Sequence, residues 1–230
     1  MTEDHIPPES GLTESKLTES KLTQTKQRWA REGRFLTGKI ARPEDQRLPP
    51  GQHLTNDWPV LDLGITPNIS RERWRLDVYG AVETPLFWDF AQFSTQPQST
   101  FISDIHCVTT WSRYDNQWEG LSTRALLDAC RPKEGARFVV LESHDGYTTN
   151  LSLEDFAAED ALLAHTWQGT PIERDHGGPV RVIVPHLYFW KSAKWLQRIQ
   201  FVSDDRPGYW EVRGYHNRGD PWLEQRYSED

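Results

Sequence analysis

Val180–Val202, VRVIVPHLYFWKSAKWLQRIQFV, sets two short apolar runs, Val180–Val184 and Trp195–Val202, on either side of a loop that opens at Pro185. Both runs have strand length and strand composition and are too short for helices. Similar runs recur upstream: Arg73–Tyr79 (RWRLDVY) alternates and ends at Gly80, Ser99–Cys107 (STFISDIHC) is β-rich, Arg137–Glu142 (RFVVLE) is apolar, and Thr148–Leu153 is a further candidate. Helical signals fall singly among them. Ser122 caps TRALLDAC, putting Leu126, Leu127 and Cys130 at helical spacing before Arg131-Pro132 stops the helix, and Leu153–Leu163 predicts another. Short strands outnumber scattered helices, and no βαβ run with a glycine fingerprint is present. The predicted class is α+β, mixed β-sheets with scattered helices, rather than a doubly wound fold.

Working outward, the first 28 residues contain no Phe, Trp or Tyr, so packing is expected to start near Trp29. Inside that leader, Leu12–Lys26 reads LTESK, LTESK, LTQTK, a period that drifts around a helix and builds no apolar stripe. Residues 1–28 therefore read as a solvated tail, 29–57 as an irregular arm rich in Pro and polar residues lying over the surface, and 58–230 as one domain.

The 230 residues carry 26 Lys and Arg against 34 Asp and Glu, a net charge of −8. Such a chain repels a phosphate backbone at long range, and no basic stripe opposes that field, so nucleic acid is not an expected partner. Two cysteines are too few for a disulfide framework or a zinc ribbon and suit a reducing compartment. No window reaches the ~18 uninterrupted apolar residues of a membrane span, and MTEDHIPPES has no signal-peptide pattern, so the expected location is cytoplasmic. Eleven Trp against one Met suit either a rigid pocket or an ordinary core.

The usual nucleotide cradles and the Gly-x-Ser-x-Gly elbow are absent. What stands out is Cys107, which opens CVTTWSRYDNQWEG, where apolar periodicity gives way to polar groups crowded with two indoles, as in a loop at a strand end. Cys130, on the apolar side of its helix, reads as a small core hydrophobe. Cys107 could be an acyl-transfer nucleophile with His106, His144, His165 or His176 as base, but no local nucleophile signature accompanies it, and the dispersed histidines lack zinc spacing. It could instead be the single soft ligand of a transition metal otherwise held by a chelating cofactor. That predicts an anion-binding groove elsewhere. Between Pro171 and Gln200 the cations Arg174, Arg181, Lys191, Lys194 and Arg198 face only Glu173 and Asp175, and Gly177-Gly178 would permit close backbone approach.

Asp104–Gly120 (DIHCVTTWSRYDNQWEG) and Asp175–Leu196 (DHGGPVRVIVPHLYFWKSAKWL), in that order, resemble the molybdopterin-binding domain of the sulfite oxidase family across roughly Trp58–Val202. The resemblance implies a molybdenum–molybdopterin cofactor with Cys107 as the protein ligand of molybdenum. It implies His176 and Arg181 on the pterin phosphate side, with Ser192, Ala193 and Lys194 on the same tail. Ser143 and Asp62 join the cofactor-binding positions, and Tyr147 corresponds to the tyrosine that faces substrate. Trp111 and Trp118 would wall a substrate funnel, and His186 and Tyr188 fall near the cofactor tail. The implied activity is two-electron oxygen-atom transfer on a small oxoanion or an S- or N-oxide, with a small-molecule substrate and a separate electron-transfer partner. A non-catalytic binding protein on the same scaffold and a Cys107 thiol hydrolase are the alternatives.

The sequence departs from the family where sulfite is held. Val-Thr-Thr-Trp-Ser follows Cys107 where sulfite oxidases carry an arginine-bearing loop, closer to bacterial methionine sulfoxide reductases, and Arg113, further along, could compensate. The family's arginine-containing segment before the first domain strand is replaced by Pro59–Gly64, which has no arginine, and two lost cations would weaken sulfite affinity. No haem module or C-terminal immunoglobulin-like dimerisation domain is recognisable, so a monomer is expected.

Overall fold

A computed structural model describes residues 43–229. The LTESK repeats and Trp29 lie outside the described residues. Two mixed sheets carry the fold. The first is ordered β1–β5–β8–β10, from β1 (His53–Leu54), β5 (Trp111–Ser122), β8 (Leu162–Trp167) and β10 (Arg181–Ile183), with β4 (Gln98–His106) pairing β5 and β9 (Thr170–Pro171) pairing β8. The second is ordered β3–β2–β11–β6–β7, from β3 (Leu86–Asp89), β2 (Arg75–Gly80), β11 (Leu196–Val202), β6 (Phe138–Ser143) and β7 (Thr148–Ser152). The β1–β5 and β2–β11 pairs are parallel and the rest antiparallel, so the class is α+β.

Among the described residues three short α-helices lie between strands: α1 (Phe90–Ser94), α2 (Thr123–Cys130) and α3 (Leu153–Phe156). The Ser122 side chain accepts the Ala125 N–H and starts α2, as its sequence predicts, and Cys130 is sealed in the core. The main core joins both sheets through Leu76, Val78, Leu121, Leu141, Leu163, Val182, Ile199 and Phe201. A smaller cluster gathers Phe101, Ile105, Trp111, Trp118 and Ile183, and Cys107 belongs to it.

Two sequence expectations are corrected. Leu153–Leu163 is not one helix: after one Ser152-capped turn the chain breaks, and Leu162–Trp167 becomes a strand between β5 and β10. The run Leu162, Leu163, Ala164 is apolar because both faces of a central strand are covered, and periodicity cannot tell such a run from a helix. The segment after Cys107 is not an extended loop. Cys107–Thr110 is a tight turn, closed by the Thr110 N–H on the Cys107 carbonyl at 3.0 Å, and the next twelve residues are β5. Its polar groups are satisfied in place: the Asn116 amide donates to the Ser103 and Arg113 carbonyls. Gly120 is dictated by pairing, since a Cβ there would stand 2.0 Å from the Leu163 oxygen.

Candidate functional site

The ends of the sheets leave a cavity of about 300 Å³. Five stretches supply its wall: Trp58–Leu63, the turn Cys107–Trp111, the β6–β7 turn Ser143–Tyr147, β10 with its connection to β11, and the chain beyond β11. Of the residues expected from the sequence, Cys107, Tyr147, Ser143, Arg181, Ser192, Ala193, Lys194 and Asp62 all border it. Positions up to 132 apart in the chain thus meet at one hollow.

Cys107 sits at the end of β4, its Sγ 3.1 Å from the Thr109 hydroxyl, and the Gln52 amide donates to its carbonyl at 3.1 Å. Burial pushes its thiol above the usual range, so a free thiolate is disfavoured unless a cation compensates it. The turn is strained: Thr110 has φ 78°, rare for a β-branched residue, and its carbonyl is held by the His53 N–H at 2.9 Å. Among the described residues no histidine ring is bonded to Cys107. His106 Nδ1 instead lies 2.8 Å from the Ser112 hydroxyl.

Arg181 is 1% exposed, yet its guanidinium hydrogen-bonds to carbonyls only: those of His176 at 2.7 Å, Ser192 at 2.8 Å and, more weakly, Val182 at 3.5 Å. No carboxylate faces it among the described residues. A buried cation without a counter-ion is costly, and burial lowers its pKa to about 9. Lys194 joins it, pushed down to about 8 by burial and by Arg181, with its ammonium donating to the Asp175 carbonyl at 2.7 Å. The Ser143 hydroxyl, His176 Nδ1 and Trp111 indole N–H are buried without partners. A buried guanidinium without a carboxylate, a neighbouring ammonium and three orphaned polar groups at or beside one hollow suit an anionic, hydrogen-bonding group, and with a soft sulfur in the same wall they fit a metal-bearing pterin phosphate.

Other expected residues lie elsewhere. His176 does not border the cavity: its ring stacks on Trp58, which does, at 3.8 Å and 14°, and burial with the charges of Arg181 and Lys194 lowers its pKa to about 4. Arg113 is also outside. Its Nε donates to the Asn56 carbonyl at 3.1 Å, its Nη1 to Asn116, and its guanidinium covers Trp167 at 4.8 Å, so it does not stand in for a lost arginine. Trp111 walls the cavity, but Trp118 is core, edge-on to Trp58 at 5.3 Å. His186 is drawn to Asp155 at 2.9 Å, and Tyr188 stacks behind Trp190 at 5.4 Å. Gly177 and Gly178 make room for the chain: a Cβ would meet Lys194 Cβ at 2.8 Å in one case and the Ile172 oxygen at 2.1 Å in the other.

The sequence reading missed Trp190, Trp210 and Tyr215, which complete the wall, and Asp145 beside Lys194. The aromatic run Tyr209, Trp210 and Tyr215 beyond the last strand was the available signal.

The family described as the oxidoreductase molybdopterin binding domain matches residues 63–210. Over 192 residues, 82% of this chain and 97% of the relative, the sequence is 46% identical to an uncharacterized oxidoreductase, YuiH, of Bacillus subtilis. It is 26% identical over 172 residues to the protein-methionine-sulfoxide reductase catalytic subunit MsrP of Campylobacter jejuni, covering 65% of this chain and 56% of that one. In fold it is similar to the sulfane dehydrogenase SoxCD of Paracoccus pantotrophus, with a TM-score of 0.56 at 20% identity over 60% of this chain and 40% of that one. No described helix is long and apolar enough to cross a membrane. With a cavity that fits the cofactor and a family match over most of its length, this chain belongs to the oxidoreductase molybdopterin-binding domain family, of the sulfite oxidase type, and is a molybdopterin-dependent oxidoreductase.

Proposed function

We propose that this protein reduces a small, neutral S-oxide by two-electron oxygen-atom transfer, with Cys107 as the protein ligand of molybdenum. The observation that carries the reading is one cavity bordered by both Cys107 and the carboxylate-free guanidinium of Arg181. Arg181 and Lys194 would hold the pterin phosphate, with Ser143, Ser192, Ala193 and Asp62 along the same wall and His176 fixing Trp58 from behind. Bound there, the molybdenum pterin supplies oxygen-atom transfer chemistry.

The substrate class follows from what surrounds the sulfur. The cavity wall includes Val108, Thr109, Trp111, Trp190, Trp210 and Tyr215; among the described residues the cations that border it are the two assigned to the cofactor, while Arg226 lies behind it and donates to the Val108 carbonyl at 2.7 Å. A sulfite-like oxyanion would be desolvated there with no cation of the wall left to pair it, whereas a methyl sulfoxide brings one oxygen and an apolar body suited to indole faces. The relation to MsrP, whose name gives protein methionine sulfoxide as its substrate, agrees with this choice. Reduction consumes two electrons and two protons and yields a thioether and water, so an external electron donor must supply both electrons. A thiol hydrolase is disfavoured by the raised thiol and by the missing Cys107–histidine bond.

The test is expression in a host that makes the cofactor, metal analysis, and a panel of sulfite, sulfoxides and N-oxides assayed with reduced artificial carriers. The expected result is near-stoichiometric molybdenum, with sulfoxides turned over in preference to sulfite. Cys107→Ser should abolish turnover and leave the fold intact. Absence of molybdenum from the purified protein sinks the proposal.

A further inference from the structure

Arg226 does not border the cavity, yet it is fastened to the turn that carries Cys107. Its Nη1 donates to the Val108 carbonyl at 2.7 Å and its Nη2 to the Pro50 carbonyl at 3.4 Å, so one guanidinium ties the Cys107 turn to the chain before β1. The guanidinium lies over the Tyr188 ring, 5.1 Å from its centroid. Its backbone is held by the His216 N–H on the Arg226 carbonyl at 3.1 Å and, one residue on, by the bridge between Tyr215 and Tyr227. The Trp222 indole fixes the same stretch, donating to the Gln46 carbonyl at 3.1 Å. Gly51 makes room for this corner, since a Cβ there would stand 3.1 Å from Glu224 Oε1 and 3.2 Å from Arg226 Nη2.

The turn surrounds the Cys107 sulfur with groups that favour negative charge on it. The Thr109 hydroxyl lies 3.1 Å away, the Val108 and Thr109 backbone amides reach it, and so does the positive charge of Arg226. A thiolate that accepts hydrogen bonds beside a cation is a poorer donor to a metal, and the metal it holds is easier to reduce. We infer that Arg226 is a positioning residue that sets the donor strength of Cys107: held on the Val108 carbonyl, its guanidinium draws electron density from the sulfur and raises the reduction potential of the metal bound there. This inference rests on the proposed ligation of molybdenum by Cys107, and it adds a residue from the chain beyond 210, where the family match ends. Loss of a group that tunes a metal ligand is worth about tenfold in the equilibrium it controls, which for a two-electron couple is ~30 mV.

The experiment uses the full chain, loaded with molybdenum and with metal content measured for each variant. Redox titration followed by electron paramagnetic resonance gives the two-electron midpoint of wild type, Arg226→Gln and Arg226→Lys. Arg226→Gln keeps a neutral donor and loses the charge, so its midpoint should fall by ~30 mV. Arg226→Lys keeps the charge and loses the two-carbonyl bridge, so its midpoint should stay close to wild type. A purely structural arginine would move both variants alike. A second readout needs no metal: alkylation of Cys107 by iodoacetamide in cofactor-free protein at one fixed pH, mapped by peptide mass. Its rate should fall about tenfold in Arg226→Gln and be largely kept in Arg226→Lys. An unchanged midpoint in metal-replete Arg226→Gln, equal shifts in the two variants, or wild-type alkylation of Arg226→Gln overturns the inference and leaves the parent reading standing. A wild-type protein that binds no molybdenum overturns the parent reading, and this inference with it.

Discussion

Lys191 Nζ lies 2.6 Å from Glu211 Oε1 with both side chains sealed from solvent, so the chain after β11 is fastened to the turn that carries Trp190. Glu211 also accepts from Thr149 Oγ1 at 2.8 Å and from the Trp190 indole at 3.0 Å. Burial lowers the Lys191 pKa and Glu211 opposes it, so the cation depends on its partner. Glu211→Ala should cost about 3–5 kcal/mol, as expected when a buried pair is broken on one side. Lys191→Met with Glu211→Met should cost less than either single change, read from urea unfolding midpoints.

Arg181 separates cofactor retention from folding. In Arg181→Met the cavity loses its buried guanidinium, and molybdenum retained after dialysis should fall at least about tenfold, the effect of losing one charge-assisted contact. The cofactor-free protein should change by no more than about 1–2 kcal/mol, because the relieved burial cost offsets the carbonyl bonds lost. Metal analysis and thermal melts of both forms check the pair of outcomes.

Thr110 offers a gain. Its φ of 78° is one that glycine adopts freely, so Thr110→Gly should stabilise the cofactor-free protein by about 1 kcal/mol, measured by urea titration. A loss of stability would mean that the threonine side chain's contacts outweigh the strain.

Asp155 governs the acid limb. Burial alone would raise its carboxyl pKa, but His186 at 2.9 Å, Arg218 at 3.1 Å and the Ser152 hydroxyl at 2.7 Å outweigh it and hold the group well below the usual range. With a folded pKa below the unfolded one, the stabilisation is complete above the ordinary 3.8 and is lost as pH falls beneath it. Asp155→Asn should therefore cost roughly 2–3 kcal/mol at pH 7 and less at pH 3. An equal cost at both values would contradict this account.

Most strands could be read from the sequence because their runs are short, apolar and bounded: Phe138–Ser143, Thr148–Ser152 and Leu196–Val202 fall within a residue or so of their expected limits. Leu162–Trp167 escaped because a strand covered on both faces has no period of two, and β5 escaped because its inward Asn116 and Ser112 are satisfied by neighbours that sequence does not reveal. Eight of the ten expected site residues border the cavity: Cys107 and the segment of Arg181, Ser192, Ala193 and Lys194 were legible as local chemistry, a lone thiol after a strand and cations in a glycine- and proline-marked loop, whereas Asp62, Ser143 and Tyr147 came from the family resemblance alone. Arg113 and His176 are directed elsewhere, one by Asn56 and Trp167 and the other by Trp58.

By itself the sequence determined the strand-rich class, the thiol and the cationic segment, because strand patterning, residue type and local charge are properties of neighbouring residues. Which of those groups share a hollow was decided only in three dimensions. Burial without a carboxylate makes Arg181 an anion site, and Lys191 and Glu211 bring Trp210 and Tyr215 to the cavity. Both effects depend on desolvation and on contacts between distant segments, neither of which has a signature along the chain.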